Sequence, residues 1–109
     1  MRCMMGLEIK SVMIDAVRYS VTQTDEPILV DNHLCRGDVD YNLAKIRIAE
    51  KYNDNRGLQV LMHEIMHALI YERGFVEKCE DEELVDELSK GVINLIRANK
   101  DLVNIIQSD

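Results

Sequence analysis

The sequence predicts an α+β fold, a small antiparallel β-sheet packed on two long helices, and three patterns carry that expectation. Val17-Arg18-Tyr19-Ser20-Val21-Thr22 alternates apolar with polar residues in period two, as a half-buried strand does. Leu58, Leu61, Met62, Ile65 and Leu69 recur at helical spacing and form one apolar stripe. Val85, Leu88, Val92, Leu95, Asn99, Leu102 and Ile106 alternate spacings of three and four, a seam suited to packing along a helix or across a sheet.

Taken in order, a further strand is expected near Glu8–Ile14, with Asp15-Ala16 as its turn into the alternating strand. Thr24 to His33 holds the only proline, Pro27, and reads as a loop with a short apolar insert, Ile28-Leu29-Val30. The runs Cys35–Asp40 and Ala44–Ala49 flank Tyr41-Asn42-Leu43 and read as a hairpin added to the first strand. Three strands with one apolar face need a cover, which the two helices supply. Asn53-Asp54-Asn55 can accept from the free N–H groups of a helix start, and Arg73-Gly74 supplies a basic last turn and a left-handed C′ residue. The second helix opens at Glu80-Asp81-Glu82-Glu83, where negative charge suits the helix dipole. Arg97–Asp101 is polar enough to break it, leaving Leu102–Ile106 as a final short turn.

The 109 residues suit one domain, 1–109, with a single modest core. With no Trp, one Phe and four Tyr, that core falls to Leu, Ile, Val and Met. A formal charge of −7 repels phosphate backbones and anionic lipid, so nucleic acid and membrane are not expected as partners. Cys3, Cys35 and Cys79 form no C-x-x-C pair, which points to neither a zinc knuckle nor a disulfide framework. A reduced, cytoplasmic setting is therefore expected. Met1–Gly6 is followed at once by Glu8 and Lys10, too short an apolar run for a signal peptide, and no 18-residue apolar stretch exists for a transmembrane span.

The chemistry concentrates in His63-Glu64-Ile65-Met66-His67. On a helix the two histidines share one face, within reach of a single metal ion, and Glu64 points to the edge of that face. Two neutral imidazoles hold Zn²⁺ at roughly 2.0–2.1 Å, and a catalytic site adds one more protein ligand and an open position for water. Bound water has its pKa lowered to about 7, and Glu64 is the general base that takes its proton and passes it to a leaving nitrogen. Hydrolysis of a peptide bond is the reaction class implied. The acidic start of the second helix is the source of the third ligand. Glu82 and Asp86 share a face, so Glu82 can reach the metal while Asp86 accepts the outer N–H of a ligating histidine. Glu83 is the alternative because helix phase shifts near an end, with Cys79 and Glu80 behind it.

His63-Glu64-Ile65-Met66-His67-Ala68, followed by Glu82-Glu83-Leu84-Val85-Asp86-Glu87-Leu88-Ser89-Lys90-Gly91, resembles the small zincin-like metallopeptidases of the ImmA/IrrE and phage minimal-zincin type. Gly37-Asp38-Val39-Asp40-Tyr41 and Ile46-Arg47-Ile48 are similar to the hairpin before the motif in phage and prophage members. The resemblance runs from about Val17 to Asn99, with specificity confined to the His-Glu-x-x-His portion. It implies zinc, a gluzincin-like placement of Glu82, and a protein or peptide substrate.

Other readings of the same residues stand beside these. One is a catalytically silent, zinc-stabilised interaction module in which Glu64 is idle. Another is a metal-free helical dimerisation protein built on the C-terminal seam, and a monomer or weak homodimer is expected in any case. Gly91 inside a helix suggests close approach of a neighbouring backbone. His33 reads as an uninvolved surface histidine, Met62 and Met66 as core filling, and Tyr71 as rim packing or an oxyanion donor.

Overall fold

In a computed structural model of the chain, which describes residues 9–49 and 55–108, the alternating segment forms strand β2 (Val17–Thr24). Tyr19 and Val21 are buried on one face, while Arg18 and Thr22 face water on the other. Strand β1 (Ser11–Ile14) pairs antiparallel with β2 through the tight turn at Asp15-Ala16, where Asp15 takes the left-handed conformation at φ 53°. The readings on Met1–Gly6, Cys3, Glu8, Asn53 and Asp54 lie outside the described residues.

The loop expected between Thr24 and His33 is instead a two-stranded ribbon, β3 (Ile28–Val30) against β4 (His33–Cys35). Asp31 and Asn32 both have positive φ, 52° and 67°, as a two-residue hairpin turn of the primed kind requires. Asp and Asn tolerate that conformation through their short polar side chains, so the turn signal was present but buried in a polar stretch. The expected hairpin follows as β5 (Gly37–Asp40) and β6 (Lys45–Ala49), closed by the turn at residues 41–44.

The sheet is mixed, in the order β1-β2-β6-β5, and not antiparallel throughout. β2 and β6 run parallel, with Val21 opposite Ile46 and Gln23 opposite Ile48. Alternation specifies which face a strand buries and says nothing of its direction. Direction is set by the connection, and residues 25–44, ribbon included, are long enough for a parallel crossover.

Helix α1 (Asn55–Glu72) covers the buried face of the sheet. Its buried side is rotated from the expected stripe: Val60, Leu61, Glu64, Met66, His67 and Ala68 are buried, while Leu58, Met62, Ile65 and Leu69 are half-buried. Ile14, Tyr19, Val21, Ile46 and Ile48 of the sheet meet Val60, Leu61 and Ala68 in one core. Tyr19, fully buried, donates its hydroxyl to Glu72 at 2.7 Å, tying β2 to the last turn of α1. That helix ends in a Schellman motif around Gly74 at φ 94°, with Gly74 N–H on the Tyr71 carbonyl and Phe75 N–H on that of Ile70.

A short 3₁₀ turn (Lys78–Glu80) leads into α2 (Glu82–Ala98), whose first turn is capped by Asp81 accepting from Leu84 N–H at 3.1 Å. The chain breaks at Asn99 and resumes as α3 (Lys100–Gln107), a third helix where a short turn was expected. The residues α2 buries are Val85, Ser89 and Ile93. Of the expected seam, Val85 is buried and Val92 half-buried against the body of the protein, while Leu88, Leu95, Leu102 and Ile106 are exposed, so the seam only partly marks the internal contact. A Cβ at Gly91 would meet nothing within 4 Å, so among the described residues the close approach expected there is not found. No helix among the described residues is long and apolar enough to cross a membrane.

Candidate metal centre

α1 and α2 bring His63, His67 and Glu82 together, with ligand atoms from all three within 4.8 Å of one another. The Nε2 atoms of the two histidines are 3.1 Å apart. Glu82 Oε1 is 3.0 Å from His63 Nε2, and its Oε2 is 3.1 Å from His67 Nε2. The side chains grade from core to water: His67 is 6% exposed, His63 21% and Glu82 69%. The site is thus anchored in the core at one end and open at the other.

The outer ring nitrogens fix what the inner ones present. His67 Nδ1 lies within hydrogen-bonding distance of the Cys79 carbonyl. A carbonyl only accepts, so Nδ1 carries a proton, which in a neutral ring leaves the lone pair on Nε2, the nitrogen that faces Glu82. His63 Nδ1 sits 3.4 Å from Asp86 Oδ1, an acceptor as well, which orients its Nε2 the same way. With both rings neutral, two lone pairs and a carboxylate face one another here. They repel unless both rings take a second proton or a cation stands between them. A tetrahedral ion with bonds of about 2.0–2.1 Å sets its ligand atoms about 3.3–3.4 Å apart, close to the spacing here. The donor set, two imidazoles and a carboxylate, is one that suits zinc.

Asp86 is held in turn by Lys90 at 2.9 Å, and that bond, with His63 nearby, keeps its carboxyl below the usual carboxylate range. Glu64, 6% exposed, lies where α1 passes β5. Burial, then the negative charges of Glu82, Asp38 and Glu80, push its carboxyl up to about 8. Gly37 of β5 makes this approach possible: a Cβ there would lie 2.8 Å from Val60 Cγ1 and 3.3 Å from Glu64 Cγ.

A cavity of about 580 Å³ opens over the cluster. His63, Glu64, His67 and Glu82 line it with Gly37, Asp38 and Val39 of β5, the edge strand of the sheet. Asp38 is fixed by a bidentate pair with Arg47 on β6, Nε to Oδ1 at 2.9 Å and Nη2 to Oδ2 at 2.5 Å.

The remaining candidates fall elsewhere. Glu83 is exposed and outside the cluster. Glu80 accepts from the Tyr41 hydroxyl at 3.0 Å. Cys79 contributes its backbone carbonyl, while its buried thiol donates to the Val76 carbonyl. Tyr71 stacks flat on Tyr41, ring centres 4.2 Å apart, and Tyr41 is the one that reaches the cavity. His33 is exposed on β4, and Met66 is core filling while Met62 is half-buried. The Cys79 carbonyl carried no signal in the sequence, since any residue offers one. Gly37, an isolated glycine at a strand start, did carry one. Comparison of the chain with protein-family models, curated proteins and solved structures returned no match in any of the three.

Proposed function

We propose that this protein is a zinc-dependent metallopeptidase-like domain that hydrolyses a peptide bond. The observation carrying the reading is the clustering of His63 Nε2, His67 Nε2 and the Glu82 carboxylate, with pairwise distances of 3.0–3.1 Å, a donor set able to hold a cation. His63, His67 and Glu82 are the ligands. The Cys79 carbonyl and Asp86 hold the rings in the ligating tautomer. Zinc at this point supplies a Lewis acid that polarises a carbonyl and lowers the pKa of water to about 7.

Glu64 handles the proton. Its carboxylate, on the edge of the histidine face and lining the cavity, takes a proton from the attacking water and delivers it to the departing amine. The substrate is an extended segment that adds to the β5 edge, where backbone N–H and C=O groups of Gly37–Asp40 fix its register beside Glu64. The zincin-like arrangement is part of this proposal: it rests on the motif and on the order sheet, motif helix, ligand helix.

Glu64→Gln separates this enzyme from a silent zinc-stabilised module. The expected result is loss of hydrolysis in a peptide-cleavage screen with zinc content unchanged. Cleavage undiminished by the substitution would overturn the role of Glu64. Zinc bound without cleavage in either protein would favour the module.

A further inference from the structure

The outward face of α2 forms an apolar seam with no partner among the described residues. Leu84, Leu88 and Leu95 are 38%, 41% and 55% exposed, and with Gly91 and Ala98 they follow alternating spacings of four and three. That is the repeat of a two-helix interface. Val85, Ser89 and Ile93 make the separate face buried against the body of the protein, and Glu82 and Asp86 point to the histidines. The seam is therefore independent of the metal centre.

Gly91 sits at the middle of the seam. A glycine inside a helix costs about 1 kcal/mol relative to alanine, and a Cβ at this position would meet nothing within 4 Å. Nothing among the described residues requires it. The missing side chain leaves room for a second helix to approach closely from outside.

Charge identifies the second helix. Apart from Glu82, Asp86 and Lys90, which belong to the metal centre and its support, the acidic Glu83 and Glu87 lie toward the start of α2 and the basic Arg97 and Lys100 toward or just past its end. Two copies of α2 laid antiparallel put each acidic half against the other's basic half, and helix dipoles oppose favourably. A parallel pair sets like against like. The net charge of −7 disfavours an anionic lipid surface as the occupant. Beyond the break, α3 buries no residue and extends the apolar surface with Leu102 and Ile105.

We propose that α2 is the interface of a homodimer in which two copies of the chain lie antiparallel across Gly91. In this register Arg97 of each copy lies between Glu83 and Glu87 of the other. Sedimentation of the full chain across the micromolar range tests it. The wild type is expected to dimerise, and Leu88→Glu with Leu95→Glu to raise the dissociation constant at least about 100-fold, with far-UV circular dichroism unchanged. Glu87→Arg and Arg97→Glu, which leave the apolar seam intact, each weaken self-association, and an equimolar mixture of the two restores it as a heterodimer. A wild type monomeric throughout the range, or a dimer indifferent to the leucine changes, overturns the interface. A mixture no tighter than either variant alone overturns the antiparallel orientation.

Discussion

His67 turns its Nδ1 to the Cys79 carbonyl, and this bond links the motif helix to the turn that launches α2. The turn does two tasks at once. It fixes the tautomer of His67, and it sets the helix that carries Glu82 and Asp86 over both histidines. The metal-site reading therefore depends on one loop as much as on the motif.

If Asp86 orients His63 through its 3.4 Å approach to Nδ1, Asp86→Ala weakens zinc binding by about 10–100-fold, the range found for carboxylates behind ligating histidines. Competition against a chelating indicator measures it. Glu83→Ala, one residue from the ligand, is expected to leave affinity unchanged, since Glu83 stands outside the cluster.

The fold class and the site were legible to different degrees. The His-Glu-x-x-His spacing fixed both histidines on one helix face, and the Glu82–Asp86 spacing fixed a second helix face toward them, so this part needed only helical periodicity. The parallel β2–β6 pair was not legible because alternation is blind to strand direction. That Leu88 and Leu95 are exposed was not legible, because a repeat of three and four reads the same whether its partner is in the chain or outside it. The β3–β4 ribbon was hidden by its brevity, three residues a strand around Asp31-Asn32.

Gly37→Ala places a methyl group 2.8 Å from both the Arg47 carbonyl oxygen and Val60 Cγ1. Arg47 is on the paired strand and cannot yield without disturbing the sheet. Overpacking of this kind costs about 1–3 kcal/mol, to be read from urea unfolding. Peptide cleavage should fall as well, because β5 shifts away from Glu64.

Tyr19→Phe removes the part-buried bond to Glu72 and leaves the ring in place. A hydrogen bond to a charged acceptor contributes about 1.5–3 kcal/mol, and the loss should appear in equilibrium unfolding at neutral pH. Burial and the Glu72 bond raise the Tyr19 pKa above 10. Its contribution is complete below pH 10 and declines as pH rises beyond it, so wild type and variant should converge in alkali.

Glu64 gives the opposite kind of test in chelator-treated protein. Its folded pKa of about 8 exceeds the ordinary value of 4.5, so the folded state holds a proton the unfolded state releases in that window. This contribution to stability is complete below about pH 4.5 and is lost as pH rises through about 8. Glu64→Gln removes that loss. The variant should melt above the wild type at pH 8 and show a smaller difference at pH 5.

The central claim is that His63, His67 and Glu82 hold zinc, and metal analysis of protein purified without added metal tests it most directly. About one zinc per wild-type chain is expected, with little or none in His67→Ala and Glu82→Ala variants that retain the wild-type circular dichroism. Equal zinc in wild type and in His67→Ala, or none in either, would contradict the account.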